Sequence, residues 1–180
     1  TKAETVAKYY DTFFSKFPDW NALANASLEE LEEIMKPLGL YRHRALRLYK
    51  LGEDIRRRGG KIPGNENELR DSGFIGLYVT NAFELFILRN RKPLLDVNMS
   101  RLLKRYFKPG DFIDVRHDKE IQELANDIIE VRRCKELNWA ILDYAALVCK
   151  TRNPLCGECV LNKYCKYYEL SQSDGTGERG

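Results

Sequence analysis

Cys149-Lys150-Thr151-Arg152-Asn153-Pro154-Leu155-Cys156-Gly157-Glu158-Cys159-Val160-Leu161-Asn162-Lys163-Tyr164-Cys165 is the stretch around which the rest of the chain is organised. It sets four cysteines in a C-x6-C-x2-C-x5-C run. Four thiolates on one short loop have the number and reach to fill every position of a tetrahedral set. Three chemistries compete for them. Structural zinc usually takes two C-x2-C-like knuckles, and only Cys156 and Cys159 make one. Disulfides suit an oxidising compartment and chains too small for their own core. The spacing puts an iron–sulfur cluster ahead of zinc and of disulfides, with all three open at this point.

The 180 residues, 43% of them hydrophobic, suffice to bury a core as one compact unit or two closely joined lobes. No apolar run approaches the length of a membrane span, and no signal peptide is present, so the expected location is intracellular rather than secreted. The formal charge of +3 does not by itself point to nucleic acid. Lys and Arg are nonetheless clustered, at Arg42/Arg44/Arg47, Arg56/Arg57/Arg58/Lys61, Arg89/Arg91/Lys92, Arg101/Lys104/Arg105/Lys108 and Arg132/Arg133/Lys135. Taken singly these are solvated helix faces; several joined into a stripe would suit a phosphate backbone.

The patterning is helical throughout. Val6, Tyr9, Tyr10, Phe13, Phe14 and Phe17 recur at helical spacing and read as core packing. Ser27 with Glu30 makes a capping box for a helix over 28–36, broken by Pro37-Leu38-Gly39. Gly39-Leu40-Tyr41-Arg42 opens the next helix, which Gly59-Gly60 ends, and Leu40 alone reads as ordinary core. Asn65 with Glu68 caps a short helix, and Asp71-Ser72-Gly73-Phe74-Ile75-Gly76 turns into a helix over 77–89. That helix carries Tyr78, Val79, Ala82, Phe83, Leu85, Phe86 and Leu88, a pattern that predicts burial nearly all round. Asp96 reads as the N-cap of a helix bearing Met99, Leu102, Leu103 and Tyr106. Two further helices follow, the first with Ile121, Leu124, Ala125, Ile128 and Ile129, the last delivering Cys149 at its end. Cys134 lies outside the ligand spacing and reads as a packed thiol.

The cysteine spacing resembles the cluster loop of the endonuclease III and MutY superfamily of DNA glycosylases, helix–hairpin–helix proteins with a catalytic Asp. Leu94-Leu95-Asp96-Val97-Asn98-Met99-Ser100-Arg101 resembles the family's catalytic segment, and Asp96 follows Tyr78 by the family's interval of 18 positions. The turn at 71–76 resembles the family's hairpin with departures: Phe74 stands for the first hairpin glycine, Gly73 for the proline and Val79 for the threonine, while Gly76 is retained. Segments 134–144 and 164–169 resemble the Mig-type thymine mismatch glycosylases most closely.

The resemblance implies an all-α, two-lobed fold. The first lobe, 1–90, is expected to carry the hairpin at about 66–82, and the second, 91–169, the Asp and the cluster, followed by a flexible tail over 170–180. It implies a [4Fe–4S] cluster on Cys149, Cys156, Cys159 and Cys165. Double-stranded DNA holding a mismatched or damaged base is the implied partner, running across the cleft between lobes. Leu40 would be the wedge entering the gap left by a flipped base, beside Tyr41 and Arg42; Gly73 and Gly76 would meet phosphate at the hairpin, and Lys150 and Arg152 at the cluster loop.

Members that also cut the strand carry a Lys at position 78, whose amine forms a Schiff base. Tyr cannot, so the implied activity is monofunctional base excision, with Asp96 opposing the developing oxocarbenium charge and orienting or deprotonating water, and Tyr78 lining the pocket. Thymine or uracil opposite guanine is the expected target, with adenine opposite 8-oxoguanine as the alternative. Family members have a further N-terminal segment before the position of Thr1; the alternatives here are that it is truncated, that a separate chain supplies it, or that the activity differs. A non-catalytic cluster-bearing DNA-binding module, or half of a split enzyme, is the alternative of another class.

Overall fold

A computed structural model describes residues 3–71, 75–110, 114 and 117–174. Among them every regular element is helical, and the chain divides into two compact units, Thr1–Gly76 and Leu77–Gly180. The boundary falls ahead of the expected division at 90/91. The reason is that Ala82, Leu85 and Phe86 pack with Leu94, Ile129 and Cys134 of the second unit.

The first unit holds α1 (Ala3–Lys16), α2 (Trp20–Ala24), α3 (Leu28–Met35), α4 (Tyr41–Arg57) and α5 (Glu66–Asp71). Both reciprocal bonds of the Ser27/Glu30 capping box form, Glu30 N donating to Ser27 Oγ at 3.1 Å and Ser27 N to Glu30 Oε2 at 3.0 Å. A 3-10 turn over Lys36–Leu38 then stops α3. Gly60, at a φ of 83°, closes α4 by donating its N–H to Ile55 O at 2.9 Å, a geometry a side chain would strain. Gly52 lets α4 lie against α2, since a Cβ there would come within 2.9 Å of Ala24 Cα. Buried Asp54 receives Arg57 and Arg58, and Arg58 Nη1 reaches on to Glu68 Oε2 at 3.2 Å, tying α5 to the end of α4.

The aromatic stripe of α1 departs from its expected burial. Phe17 enters the core with Leu23, Ala26, Leu31 and Ala45, whereas Val6, Tyr10 and Phe14 stay exposed. Helical spacing sets which residues share a face; it does not say how wide a neighbour covers that face.

The second unit holds α6 (Leu77–Phe86), α7 (Val97–Phe107), α8 (Lys119–Ile129), α9 (Cys134–Leu147) and α10 (Lys166–Asp174), with 3-10 turns at Cys156–Glu158 and Asn162–Tyr164. Its main core joins Leu95, Met99, Leu102 and Leu103 to Ile121, Ala125 and Ala145. The expected all-round burial of α6 is not what forms. Thr80, Asn81, Glu84 and Leu85 face inward while Tyr78 and Val79 are exposed, because the inward polar groups have partners: Asn81 Nδ2 donates to Pro93 O at 2.9 Å and Asn90 Nδ2 to Glu84 Oε2 at 2.6 Å. Of the expected tail over 170–180, residues 170–174 are helical instead, since α10 continues to Asp174, with Ser171 and Ser173 bonding back to the carbonyls of Tyr168 and Glu169; 175–180 lie outside the described residues.

Candidate active site and cysteine loop

Asp96 sits at the N-cap of α7, in the extended conformation that a cap requires. Its Oδ1 accepts from the backbone N–H groups of Asn98 and Met99, each at 2.8 Å. Its Oδ2 accepts from Asn98 Nδ2 at 2.8 Å and keeps lone-pair capacity for a further partner. The dipole of α7 favours an anion at this end. The capping role expected from sequence is therefore occupied, and it leaves the carboxylate half-buried at a helix mouth.

The approach to Asp96 is an irregular segment held by two buried asparagines. Asn138 is fully buried on α9, accepts from Leu94 N at 2.6 Å and donates to Lys92 O at 3.1 Å and Cys134 O at 3.0 Å. Asn81, from α6, holds Pro93 O. These two residues fix where Asp96 stands, and the sequence reading missed both. The available signal was a polar amide inside an otherwise apolar helical face.

Tyr78 lies one turn before Asn81 and is 42% exposed. Its phenol is held above its ordinary pKa, first by burial and second by the charge of Asp96, which places the two groups in one electrostatic neighbourhood within the second unit. Tyr78 is therefore a neutral phenol at physiological pH.

The cysteine loop begins where α9 ends. Cys149, Cys156, Cys159 and Cys165 are all free thiols and all half-buried. Burial chiefly holds the Cys156 thiol above its ordinary pKa, with further upward pushes from Cys149, Cys165 and Cys159. Among the described residues no three metal-binding side chains are gathered tightly enough for a single ion. Four thiolates on one loop are the donor set that a [4Fe–4S] cluster takes, one to each iron. No disulfide links these four cysteines.

Two arginines of α7 anchor the loop. Arg101 donates Nε to Cys149 O at 2.9 Å, Nη2 to Ala145 O at 2.7 Å and Nη1 to Asn98 Oδ1 at 3.0 Å. Arg105 donates Nη1 to Lys150 O at 2.6 Å and Nη2 to Thr151 O at 3.1 Å. The sequence places Arg105 only in a basic cluster, and Arg101 in that cluster and at the end of the segment resembling the family's catalytic one; neither anchoring role is read from it. The expected phosphate contacts Lys150 and Arg152 are exposed in the same loop.

In the first unit, Leu40 is 73% exposed and left-handed, at a φ of 47°. That exposure overturns its reading as core. Arg44 braces the loop by donating Nη1 to Leu38 O at 2.9 Å, and the Arg42 guanidinium lies 5.6 Å from the Tyr41 ring centroid. Of the expected hairpin glycines, Gly76 is exposed, with open space where a Cβ would project. Gly73, like Phe74, lies outside the described residues.

The chain is 35% identical over 172 residues to a thymine-DNA glycosylase of Aeropyrum pernix, covering 93% of this chain and 77% of that one. It is 30% identical over 171 residues to a thymine/uracil-DNA glycosylase of Methanothermobacter thermautotrophicus, covering 94% and 77%. Among solved structures, that of a thermostable thymine-DNA glycosylase matches with a TM-score of 0.85 at 29% identity, covering 94% of this chain and 79% of that one. Residues 149–165 match the iron–sulfur binding domain of endonuclease III, which makes a [4Fe–4S] cluster the cofactor of this protein. Residues 1–138 match the model of HhH-GPD superfamily base excision DNA repair proteins, and the chain belongs to that superfamily, as a DNA glycosylase.

Proposed function

We propose that the protein is a monofunctional glycosylase that removes thymine or uracil opposite guanine from duplex DNA and leaves an abasic site. The observation that carries the reading is the Asp96 carboxylate held at the mouth of α7 with lone-pair capacity left on Oδ2, in a chain whose residue 78 is a phenol and not an amine. As the glycosidic bond lengthens, positive charge grows on the sugar; a fixed carboxylate opposes it without reorganising. Asp96 Oδ1 is committed to the backbone of α7, so Oδ2 is the atom that orients water or takes its proton. The neutral phenol of Tyr78 lines the pocket and offers a stacking face or a donor to the base.

Leu40 is assigned as the wedge. An exposed apolar side chain on a strained, braced loop can replace base stacking without requiring hydrogen-bond partners. Tyr41 and Arg42 flank it, with Gly76 and Gly73 at the hairpin and Lys150 and Arg152 on the cysteine loop as backbone contacts. Cys149, Cys156, Cys159 and Cys165 are assigned as the cluster ligands. Held there, the cluster would give the loop an interior, since none of its residues is buried. The thymine/uracil target follows the relatives' names. Its DNA substrate assigns the protein to the cell interior. Among the described residues no helix is long and apolar enough to cross a membrane.

The test is single-turnover incubation of the holoprotein with duplexes holding G·T, G·U or adenine opposite 8-oxoguanine, followed by alkali. Excision from G·T or G·U, with strand cutting only after alkali, is the expected result. Cutting before alkali would remove the monofunctional reading. DNA binding with an intact cluster and no excision from any duplex would support the binding-module reading instead.

A further inference from the structure

Two side chains of the helices reach sulfurs of the cysteine loop. Tyr144 of α9, whose ring packs on the main core, donates its hydroxyl proton to Cys159 Sγ at 3.2 Å. The same oxygen accepts from Val160 N at 3.0 Å. That second contact fixes the rotor, because an amide proton on one lone pair leaves the O–H aimed at sulfur. Arg105 Nη1 lies 3.5 Å from Cys149 Sγ, but its guanidinium is committed mainly to the carbonyls of Lys150 and Thr151 and to the Tyr167 ring, 4.7 Å away.

We infer that Tyr144 is a tuning residue of the iron–sulfur centre: its O–H···S bond to Cys159 raises the one-electron reduction potential of the cluster. The inference rests on the assignment of the four cysteines as ligands. A thiolate ligand carries more negative charge in the reduced form than in the oxidised form. A donor bonded to its sulfur therefore favours reduction. The hydroxyl is separable from the fold. Tyr144→Phe keeps the ring in the core, and Val160, 82% exposed, can give its N–H to water.

The experiment compares wild-type holoprotein, Tyr144→Phe and a protein carrying 3-fluorotyrosine at position 144, a stronger donor, at a pH well below its ionisation. Iron and sulfide are measured first, then the reduction potential by film voltammetry. Loss of the hydroxyl is expected to shift the reduction equilibrium roughly tenfold towards the oxidised form, about 59 mV downward for one electron. The fluorinated residue is expected to shift it upward. Iron-loaded variants that both stay at the wild-type potential, or move in the same direction, overturn the inference alone. If Tyr144→Phe does not hold its cluster, the fluorinated protein decides: an upward shift supports the inference and no shift overturns it. A wild-type holoprotein lacking iron and sulfide overturns the ligand assignment and this inference with it.

Discussion

Arg101 and Cys149 are joined by a hydrogen bond of 2.9 Å, from the guanidinium Nε to the backbone carbonyl of the first loop cysteine. The same guanidinium bonds Asn98 Oδ1, and Asn98 Nδ2 bonds Asp96 Oδ2. A continuous polar chain thus runs from the loop to the carboxylate, through residues on the first turns of one helix. Its middle member is a planar fork with donors in three directions, which a lysine cannot reproduce.

Arg101→Met should therefore disturb both ends of that chain. Loss of three charge-assisted bonds is expected to cost about 3 kcal/mol. Urea denaturation would measure it, and iron release under a chelator should be faster. Arg101→Lys should recover only part of the loss. Unchanged iron release in Arg101→Met would show that the loop does not depend on this anchor.

Asp96→Asn separates capping from chemistry. Asn caps a helix as well as Asp, so stability should stay within about 1 kcal/mol of wild type. Excision should fall by at least about a hundredfold, the usual scale for removing a positioned acid–base group. Asp96→Ala should lose both activity and about 1 kcal/mol of stability. Single-turnover excision paired with denaturation midpoints would check this; activity surviving in Asp96→Asn would move the chemistry elsewhere.

Tyr78→Lys would place an amine beside Asp96. Borohydride should then trap a covalent complex with abasic or substrate DNA, and strand cutting should appear without alkali. The wild-type protein should give neither product. A trapped complex from the wild type would point to an amine at another position.

Much of this was legible beforehand because it depends on local chemistry. Ser27/Glu30, Asn65/Glu68, Gly60 and the Asp96 cap each involve groups within a few residues of one another, and each formed as read. Asn81, Asn138 and the arginine anchors were not legible. Each has a partner between 12 and 48 positions away, as Asn81 to Pro93 and Arg101 to Cys149 show. The exposure of Val6, Tyr10, Phe14, Tyr78 and Val79 was missed for the complementary reason, that periodicity identifies a face without showing what covers it.

Leu40 carries strain that its exposed position does not repay with packing. A non-glycine residue in the left-handed region costs about 1–3 kcal/mol, so Leu40→Gly should leave stability unchanged or higher. Its affinity for duplexes with a mismatch should fall, while binding to undamaged duplex, which needs no wedge, should hold. Fluorescence anisotropy on the two duplexes would separate these. An equal loss on both would make Leu40 a general DNA contact.

Asp118 gives a pH dependence whose sign can be worked out. Its carboxylate lies 2.6 Å from Lys104 Nζ, with both side chains largely buried, and it caps α8 through Ile121 N at 3.1 Å. Lys104 chiefly, and the Ile121 N–H after it, hold its pKa below the ordinary carboxylate value, against the opposing pull of burial. A carboxyl with a depressed folded-state pKa contributes stability above its unfolded pKa and loses it as pH falls through the folded value. Asp118→Asn keeps the cap and removes the charge, so near neutrality it should be less stable than wild type by about 1–3 kcal/mol. The gap should be full above about pH 5 and should close below about pH 4, as wild-type Asp118 takes up its proton. Urea unfolding of both proteins across that range is the measurement. A gap independent of pH would mean that the cap geometry, and not the ion pair with Lys104, is what Asp118 contributes.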